Sequence, residues 1–274
     1  MFYFIQQGEW DNNHLRFMYL PVIHTLTNLE NHSVTIGNRV RVSDIPYNST
    51  FVWVGVVGRE RVPWGELRAR GARTVYYQTE PINVCPFTKA KVDELWDFAW
   101  FNIEKCQRNP SSPVLRYVPI ARQTWTPTLV PNISANLLQF FGDAMTRTAC
   151  YRNIDREWKV QSQLGVWDET GFERYIRKSP GVFLNIHKQC AKTGPVTFRN
   201  SLLLSTNGVV VSARCHPKDE KMYEGLILFV NDVANITRAA VEAHLRTRNM
   251  SLFSERFDAR TILQKAGLVP EVYR

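Results

Sequence analysis

In the stretch ARTVYYQTEPIN, residues 72–83, a carboxylate follows directly on a short apolar run. Thr74, Val75, Tyr76 and Tyr77 have strand composition, and Gln78-Thr79-Glu80-Pro81 stops them. Open α/β sheets bind ligands in the crevice beyond the C-terminal ends of their strands. Glu80 could therefore be a working group in such a crevice, or merely the polar start of a loop. Asp11 and His14 raise the same question in GEWDNNH, after the first apolar run. Asp11 could equally be a helix N-cap, the commoner use of its type. In the second half, His187 and Lys188 follow GVFLNI, and Arg199 lies on the helix expected next. Gly142-Asp143, after LLQFF, allows close backbone approach to a ligand, or is a plain turn. The densest polar turn is RCHPKDE, 214–220. An anion could bind Lys218 and the backbone N–H groups there. Asp219 and Glu220 would repel it unless turned towards hydroxyls, and a solvated loop of charge pairs is the alternative.

Several chemistries are absent from the sequence. No G-x-G-x-x-G follows a strand and no G-x-x-x-x-G-K-[ST] occurs, which argues against a dinucleotide cofactor and a P-loop. There is no G-x-S-x-G elbow, no H-E-x-x-H and no D-x-D. No cofactor and no metal are expected, so a leaving diphosphate would need arginine, lysine and helix N-termini for neutralisation. The formal net charge is +9, from 24 arginines and 10 lysines against 25 acidic residues. Arginine suits forked recognition of phosphate. The basic residues form no run, however, and no nucleic-acid-binding signature is present. Cys85, Cys106, Cys150, Cys190 and Cys215 are scattered and odd in number. They read as reduced thiols of a cytoplasmic protein rather than as a disulfide framework or zinc site. MFYFIQQGEW has no basic region before an apolar core, so no signal peptide is expected, and no 18-residue apolar run predicts a membrane span.

The elements that must position these groups alternate. Strands are expected at 2–5, 50–56, 74–77, 93–97 and 114–119, with helices over 14–31, 64–70 and from 98 to about 107. RQTWTPTLVP breaks the pattern with two prolines and no periodicity. Strands then follow at 137–142, 164–167, 181–186, 209–212 and within 223–229, with helices over 145–158, 170–178 and 196–206 and a helical region over 233–264. Strand–helix alternation in both halves predicts an α/β protein built from parallel sheets. The expected organisation is two facing Rossmann-like domains with a cleft between them. Their boundaries are 1–121, a linker at 122–136, and 137–274, with the last helix free to cross back to the first domain.

An ordered set of motifs carries a resemblance. YYQTEP, VDELWDFAWFNI and VLRYVPI run over 76–120; FFGD, FLNIHK, RNSLLLSTNGVVVSARC and DEKMYEGLILFVNDV follow over 140–233. The chain resembles the small two-domain glycosyltransferases of the GT-B fold, closest to those of the large algal DNA viruses, the chloroviruses, which decorate their own capsid glycans. The resemblance implies a hexosyl- or pentosyltransferase acting in the host cytoplasm. Its donor would be UDP-linked, with UDP-xylose a candidate, and its acceptor a glycan on a capsid glycoprotein. Neither nucleic acid nor a membrane is an implied partner. The first domain would hold the acceptor, with Asp11, Glu80 or His14 as catalytic base. The second would hold the donor through Gly142, Asp143, Arg147, His187, Lys188, Arg199, Cys215, His216, Asp219, Glu220 and Tyr223. Related retaining enzymes carry a glutamate just after the strand that ends here at Ser212, where this chain reads Ala213-Arg214-Cys215-His216. That departure implies an inverting mechanism, which needs one general base to activate the acceptor hydroxyl. The rival reading from charge alone is a non-catalytic basic module that binds nucleic acid or a capsid surface.

Overall fold

The structure is a computed structural model. It describes residues 2–6, 20–26, 28, 35–37, 41–55, 62–141, 150, 154, 157–163, 169–186 and 197–270. The chain divides into two compact units, Met1–Ile120 with Ala259–Arg274, and Ala121–Asp258.

The first unit is built on a six-stranded parallel sheet. Its strands are β1 (Phe2–Gln6), β2 (Thr35–Gly37), β3 (Thr50–Gly55), β4 (Arg73–Gln78), β5 (Glu94–Asp97) and β6 (Val114–Tyr117), in the order β2-β1-β3-β4-β5-β6. Residues 20–26 form helix α1. Helix α2 (Trp64–Ala69) precedes β4, and α3 (Trp100–Gln107) follows β5. The three central strands β3, β4 and β5 are mostly apolar in their interiors because they are covered on both faces, as parallel strands are, with Arg73, Gln78, Glu94 and Asp97 at the ends of β4 and β5. Phe51, Val52, Val75, Tyr76, Tyr77 and Leu95 are all buried. A core of Ile45, Phe51, Trp53, Trp64, Leu67, Tyr76, Phe87 and Leu95 fills one side of the sheet.

The second unit repeats the plan with five parallel strands: β7 (Leu137–Phe141), β8 (Lys159–Gln163), β9 (Val182–Asn185), β10 (Val209–Ala213) and β11 (Ile227–Val230), ordered β11-β10-β9-β7-β8. Helices α4 (Glu169–Arg177), α5 (Thr197–Ser205), α6 (Pro217–Met222), α7 (Arg238–Thr247) and α8 (Met250–Arg256) complete it. The last helix, α9 (Ala259–Lys265), belongs to the first unit. Arg116 of β6 donates from Nη1 to the Ala266 carbonyl at 2.6 Å, just past the end of α9. The strand orders read outward as 2-1-3-4-5-6 and 2-1-3-4-5. Each sheet therefore reverses direction once, between β1 and β3 and between β7 and β9, and such a reversal opens a crevice at the strands' C-terminal ends.

The structure departs from the sequence reading in several places. β2 was not anticipated, and β8 lies at 159–163 in a polar stretch, KVQSQ. β8 is an edge strand with Lys159, Gln161 and Ser162 exposed, so it needs no apolar alternation. The strand expected at 164–167, and most of the helix expected at 145–158, lie outside the described residues; Glu157 and Trp158 are not helical. The polar stretch at 214–220 is no simple loop, because Pro217 opens α6 at its first turn, where a missing N–H costs nothing. The expectation of five reduced thiols is also overturned. Cys85 and Cys106 form a disulfide with their Cα atoms 4.9 Å apart, and Cys150 is disulfide-bonded too; Cys215 is free. The reason is tertiary: the segment after β4 folds back onto α3, which brings two cysteines 21 residues apart into bonding range. With that, the ground for inferring a reducing compartment is gone. Among the described residues, no helix is long and apolar enough to cross a membrane.

Candidate active site

At the β7/β9 reversal of the second unit sits Arg199, the third residue of α5 and only 3% exposed. Its Nη1 donates to Asn185 Oδ1 and to the Ile186 carbonyl, both at 3.3 Å, at the end of β9. Its guanidinium lies 5.1 Å from the centroid of the Phe140 ring on β7. Asn185 in turn donates from Nδ2 to Asn200 Oδ1 at 2.5 Å. A buried arginine is costly unless paired, and guanidinium is the cation that tolerates such a site best. The local sequence explains the placement. Leu202, Leu203 and Leu204 bury α5 against the sheet, and its end is closed by Asn207 at φ 62° and by Gly208. A Cβ at Gly208 would meet the Phe183 ring at 2.6 Å and the Leu203 carbonyl at 2.9 Å, so the chain there can carry no side chain. Arg248 clamps the same turn, donating to the carbonyls of Gly208 at 2.6 Å and Asn207 at 2.9 Å.

The turn after β10 is shaped by α6. Glu220 reaches back to accept from the Cys215 amide at 2.7 Å and from Arg214 Nη1 at 2.7 Å. It therefore organises the turn after β10. His216 occupies the residue before Pro217. Asp219 is fully buried. Burial, reinforced by the nearby charges of Asp219 and Glu220, pushes the Cys215 thiol well up, so it is no thiolate nucleophile. Tyr223 is also fully buried, stacked on Phe257 with ring centroids 4.8 Å apart, and its hydroxyl is pushed up by burial and then by Asp219. Tyr223 is thus a core residue of this unit.

In the first unit, the register aligns Gly55, Gln78, Asp97 and Tyr117 across β3, β4, β5 and β6 at their C-terminal edge. Gln78 and Asp97 are fully buried and Thr79 is nearly so. Asp97 Oδ1 accepts from the Ala99 amide and from Asn102 Nδ2, both at 3.0 Å. Burial, and then the Asp97 charge, pushes the Tyr77 hydroxyl up, and that hydroxyl donates to the Val118 carbonyl at 2.9 Å. Glu80 follows, half-buried, two residues beyond β4. Its backbone carbonyl accepts from Asn102 Nδ2 at 3.1 Å. Trp100, in the first turn of α3, stacks on Tyr117 with centroids 5.0 Å apart.

Of the residues singled out in the sequence, Arg199, Cys215, His216, Asp219, Glu220 and Tyr223 fall within the second unit, and Glu80 lies at the strand-end edge of the first. Asp11, His14, Gly142, Asp143, Arg147, His187 and Lys188 lie outside the described residues. Asn185, Asn200, Asp97 and Asn102 were missed. A detectable signal existed for two of them, since Asn185 and Asp97 are polar residues that directly follow the apolar stretches VFL and LW.

No family model matches the chain, and no curated protein matches it in sequence. Solved structures do match it. HepE of Anabaena, in complex with UDP and glucose, superposes with a TM-score of 0.57 at 12% identity, over 97% of this chain and 98% of that one. T4 phage β-glucosyltransferase matches with a TM-score of 0.55 at 11% identity, over 97% and 96%. Its complex with UDP-glucose gives 0.51 at 12% identity, over the same shares. A looser likeness, TM-score 0.45, is to the GtfA/B complex, where the chain spans 57% of the matched chain. Two parallel sheets, each with a single order reversal, and end-to-end superposition on these enzymes make this a chain of the GT-B fold.

Proposed function

We propose that the protein is a glycosyltransferase that moves a sugar from a UDP-linked donor to a glycan hydroxyl, with inversion and without a metal. The observation that carries this reading is the whole-length match to HepE, crystallised with UDP and glucose, and to T4 phage β-glucosyltransferase, crystallised with UDP-glucose. The buried Arg199 at the β7/β9 reversal supports it, because a diphosphate is the ligand such a cation suits. The second unit holds the nucleotide and the first the acceptor. A base removes the proton of the acceptor hydroxyl, and the oxygen attacks the anomeric carbon. The bond to the diphosphate breaks, and UDP leaves with the electron pair. Arg199 and Lys188 stabilise the charge that develops on the leaving group. Asp11, Glu80 and His14 are the candidates for the base.

The donor sugar and the setting are finer parts of the same proposal. Glucose is the sugar in the neighbours' crystals, while UDP-xylose and a capsid-glycan acceptor rest on the resemblance to chlorovirus enzymes. Cytoplasmic action belongs with them, and the state of Cys85 and Cys106 in protein taken from cells bears on it. A second reading is favoured by the net charge of +9 and by the T4 phage enzyme being a DNA-modifying one: here the acceptor is DNA.

Purified protein incubated with UDP-glucose or UDP-xylose and a glycan acceptor tests the reading, with duplex DNA as a parallel acceptor. Transfer to the glycan is expected. The absence of both turnover and a thermal shift with UDP would sink the proposal, since a ligand at a hundredfold excess over its Kd adds about 2.7 kcal/mol. Glu80→Gln separates base from bystander. Loss of a general base costs about 10²–10⁴ in kcat with UDP affinity unchanged.

A further inference from the structure

The fifteen residues between β4 and β5, 79–93, contain no regular structure, yet they are held at several points by one face of α3. Asn102, Lys105 and Cys106 stand at i, i+3 and i+4, the spacing that puts side chains on a common face. Asn102 is fully buried and makes three bonds across the junction. Its Oδ1 accepts from the Ile82 amide at 2.9 Å, and its Nδ2 donates to the Glu80 carbonyl at 3.1 Å and to Asp97 Oδ1 at 3.0 Å. Lys105 donates from Nζ to the Ile82 carbonyl. Cys106, fully buried, is bonded to Cys85, which is only partly covered. Ile82 and Phe87 pack into the same core as Cys106.

We propose that this face of α3 is a clamp that positions Glu80, with Asn102 as its positioning residue and the Cys85–Cys106 disulfide as a covalent latch that thiol reductants can open. Reduction by a dithiol breaks the S–S bond, leaves two thiols on the protein and oxidises the dithiol to its cyclic disulfide. The latch closes a long stretch of chain, so its loss returns conformational freedom to the segment next to Glu80. Asn102 ties the same segment to Asp97, so both devices hold one short backbone stretch at the strand-end edge. The consequence for transfer rests on the glycosyltransferase reading. The clamp itself does not.

Hydrogen exchange on the full-length protein tests the clamp without any assay of activity. The Ile82 amide is the reporter, because its N–H is held by Asn102. In Asn102→Ala, in Cys85→Ser and in dithiothreitol-treated wild type, its exchange is expected to quicken about tenfold or more, as local opening becomes easier. The β10 amides in the second unit should keep their rates in the two variants, whereas dithiothreitol also opens the bond of Cys150, which packs against the core holding Val209 and Val211. Dithiothreitol should add nothing in Cys85→Ser, which separates this bond from that of Cys150. In the transfer assay the same three samples should lose about tenfold in kcat while UDP affinity holds. Ile82 exchange within about twofold of wild type in Cys85→Ser and in the reduced protein overturns the proposal. So does acceleration in Cys85→Ser that spreads equally to β10. If the wild type transfers no sugar, the functional reading fails and the exchange result still decides the clamp.

Discussion

Arg199→Met separates the two roles a buried arginine can have. The substitution keeps an unbranched side chain of similar reach and removes the charge. In the free protein the loss is small in sign and size. Two acceptors, Asn185 Oδ1 and the Ile186 carbonyl, lose a donor at 3.3 Å, a distance at the long end of the hydrogen-bond range. Each costs on the order of 1 kcal/mol. Against this, a side chain 3% exposed no longer has to keep a cation out of water, a penalty of several kcal/mol that apolar replacement relieves. The net change in stability should therefore lie within about 2 kcal/mol of zero. Binding of UDP should suffer more clearly. Charge-assisted hydrogen bonds to a diphosphate contribute about 2–3 kcal/mol, so the Kd should rise about 30- to 150-fold. Calorimetric titration with UDP, alongside urea unfolding followed by tryptophan fluorescence, reads both quantities. A Kd unchanged within a factor of two, with stability lost by more than about 3 kcal/mol, would show that Arg199 is a structural cation and that the donor site has been misplaced.

Three further expectations concern the scaffold and the chemistry. Glu94 is 3% exposed and accepts from Arg73, from Arg116 at 3.0 Å and from Trp96 Nε1 at 3.0 Å, so Glu94→Gln should destabilise the first unit by about 2–4 kcal/mol, whereas Arg73→Ala, at a 51% exposed partner, should cost under about 1 kcal/mol; urea midpoints compare them, and equal costs would refute the reasoning. Burial, and secondarily Arg248, holds His244 below the ordinary histidine range while its Nε2 lies 3.3 Å from the Leu226 carbonyl, so the unfolded chain takes up the proton first; the second unit should lose stability as pH falls below about 6.5, and His244→Gln should remove that part of the slope in melting temperatures measured across the range. Activity should survive EDTA, since no D-x-D is present to bind a metal; loss in EDTA restored by manganese would show the diphosphate to be neutralised by a cation rather than by Arg199 and Lys188.

Much of the scaffold was legible because buried parallel strands leave a composition that no other element needs. FVWVG, TVYY, FLN and VVVS could hardly be anything but central strands, and the stops at Gly71 and at Asn207-Gly208 announce themselves through positive φ or close approach. β8 escaped because an edge strand is specified by its neighbour rather than by its own residues. α6 escaped because RCHPKDE is polar throughout and only Pro217 marks its start. Of the candidate site, the sequence shows only where polar groups follow strands: Glu80 and Arg199 were singled out on that ground, and the structure places the first just beyond β4 and the second at the β7/β9 reversal, a property of strand order that local sequence does not encode. The disulfide was read wrongly for the same reason. Spacing along the chain says nothing of two cysteines 21 residues apart until the segment carrying Cys85 folds onto α3 and buries Cys106 beneath it. Asn102 is the clearest case. In the sequence it is one polar residue in a short amphipathic helix; only the folded chain sets its amide against Asp97, Glu80 and Ile82 at once. Local propensity acts through the residue itself, while such a junction is decided by which distant backbone groups the completed sheet leaves in need of a partner.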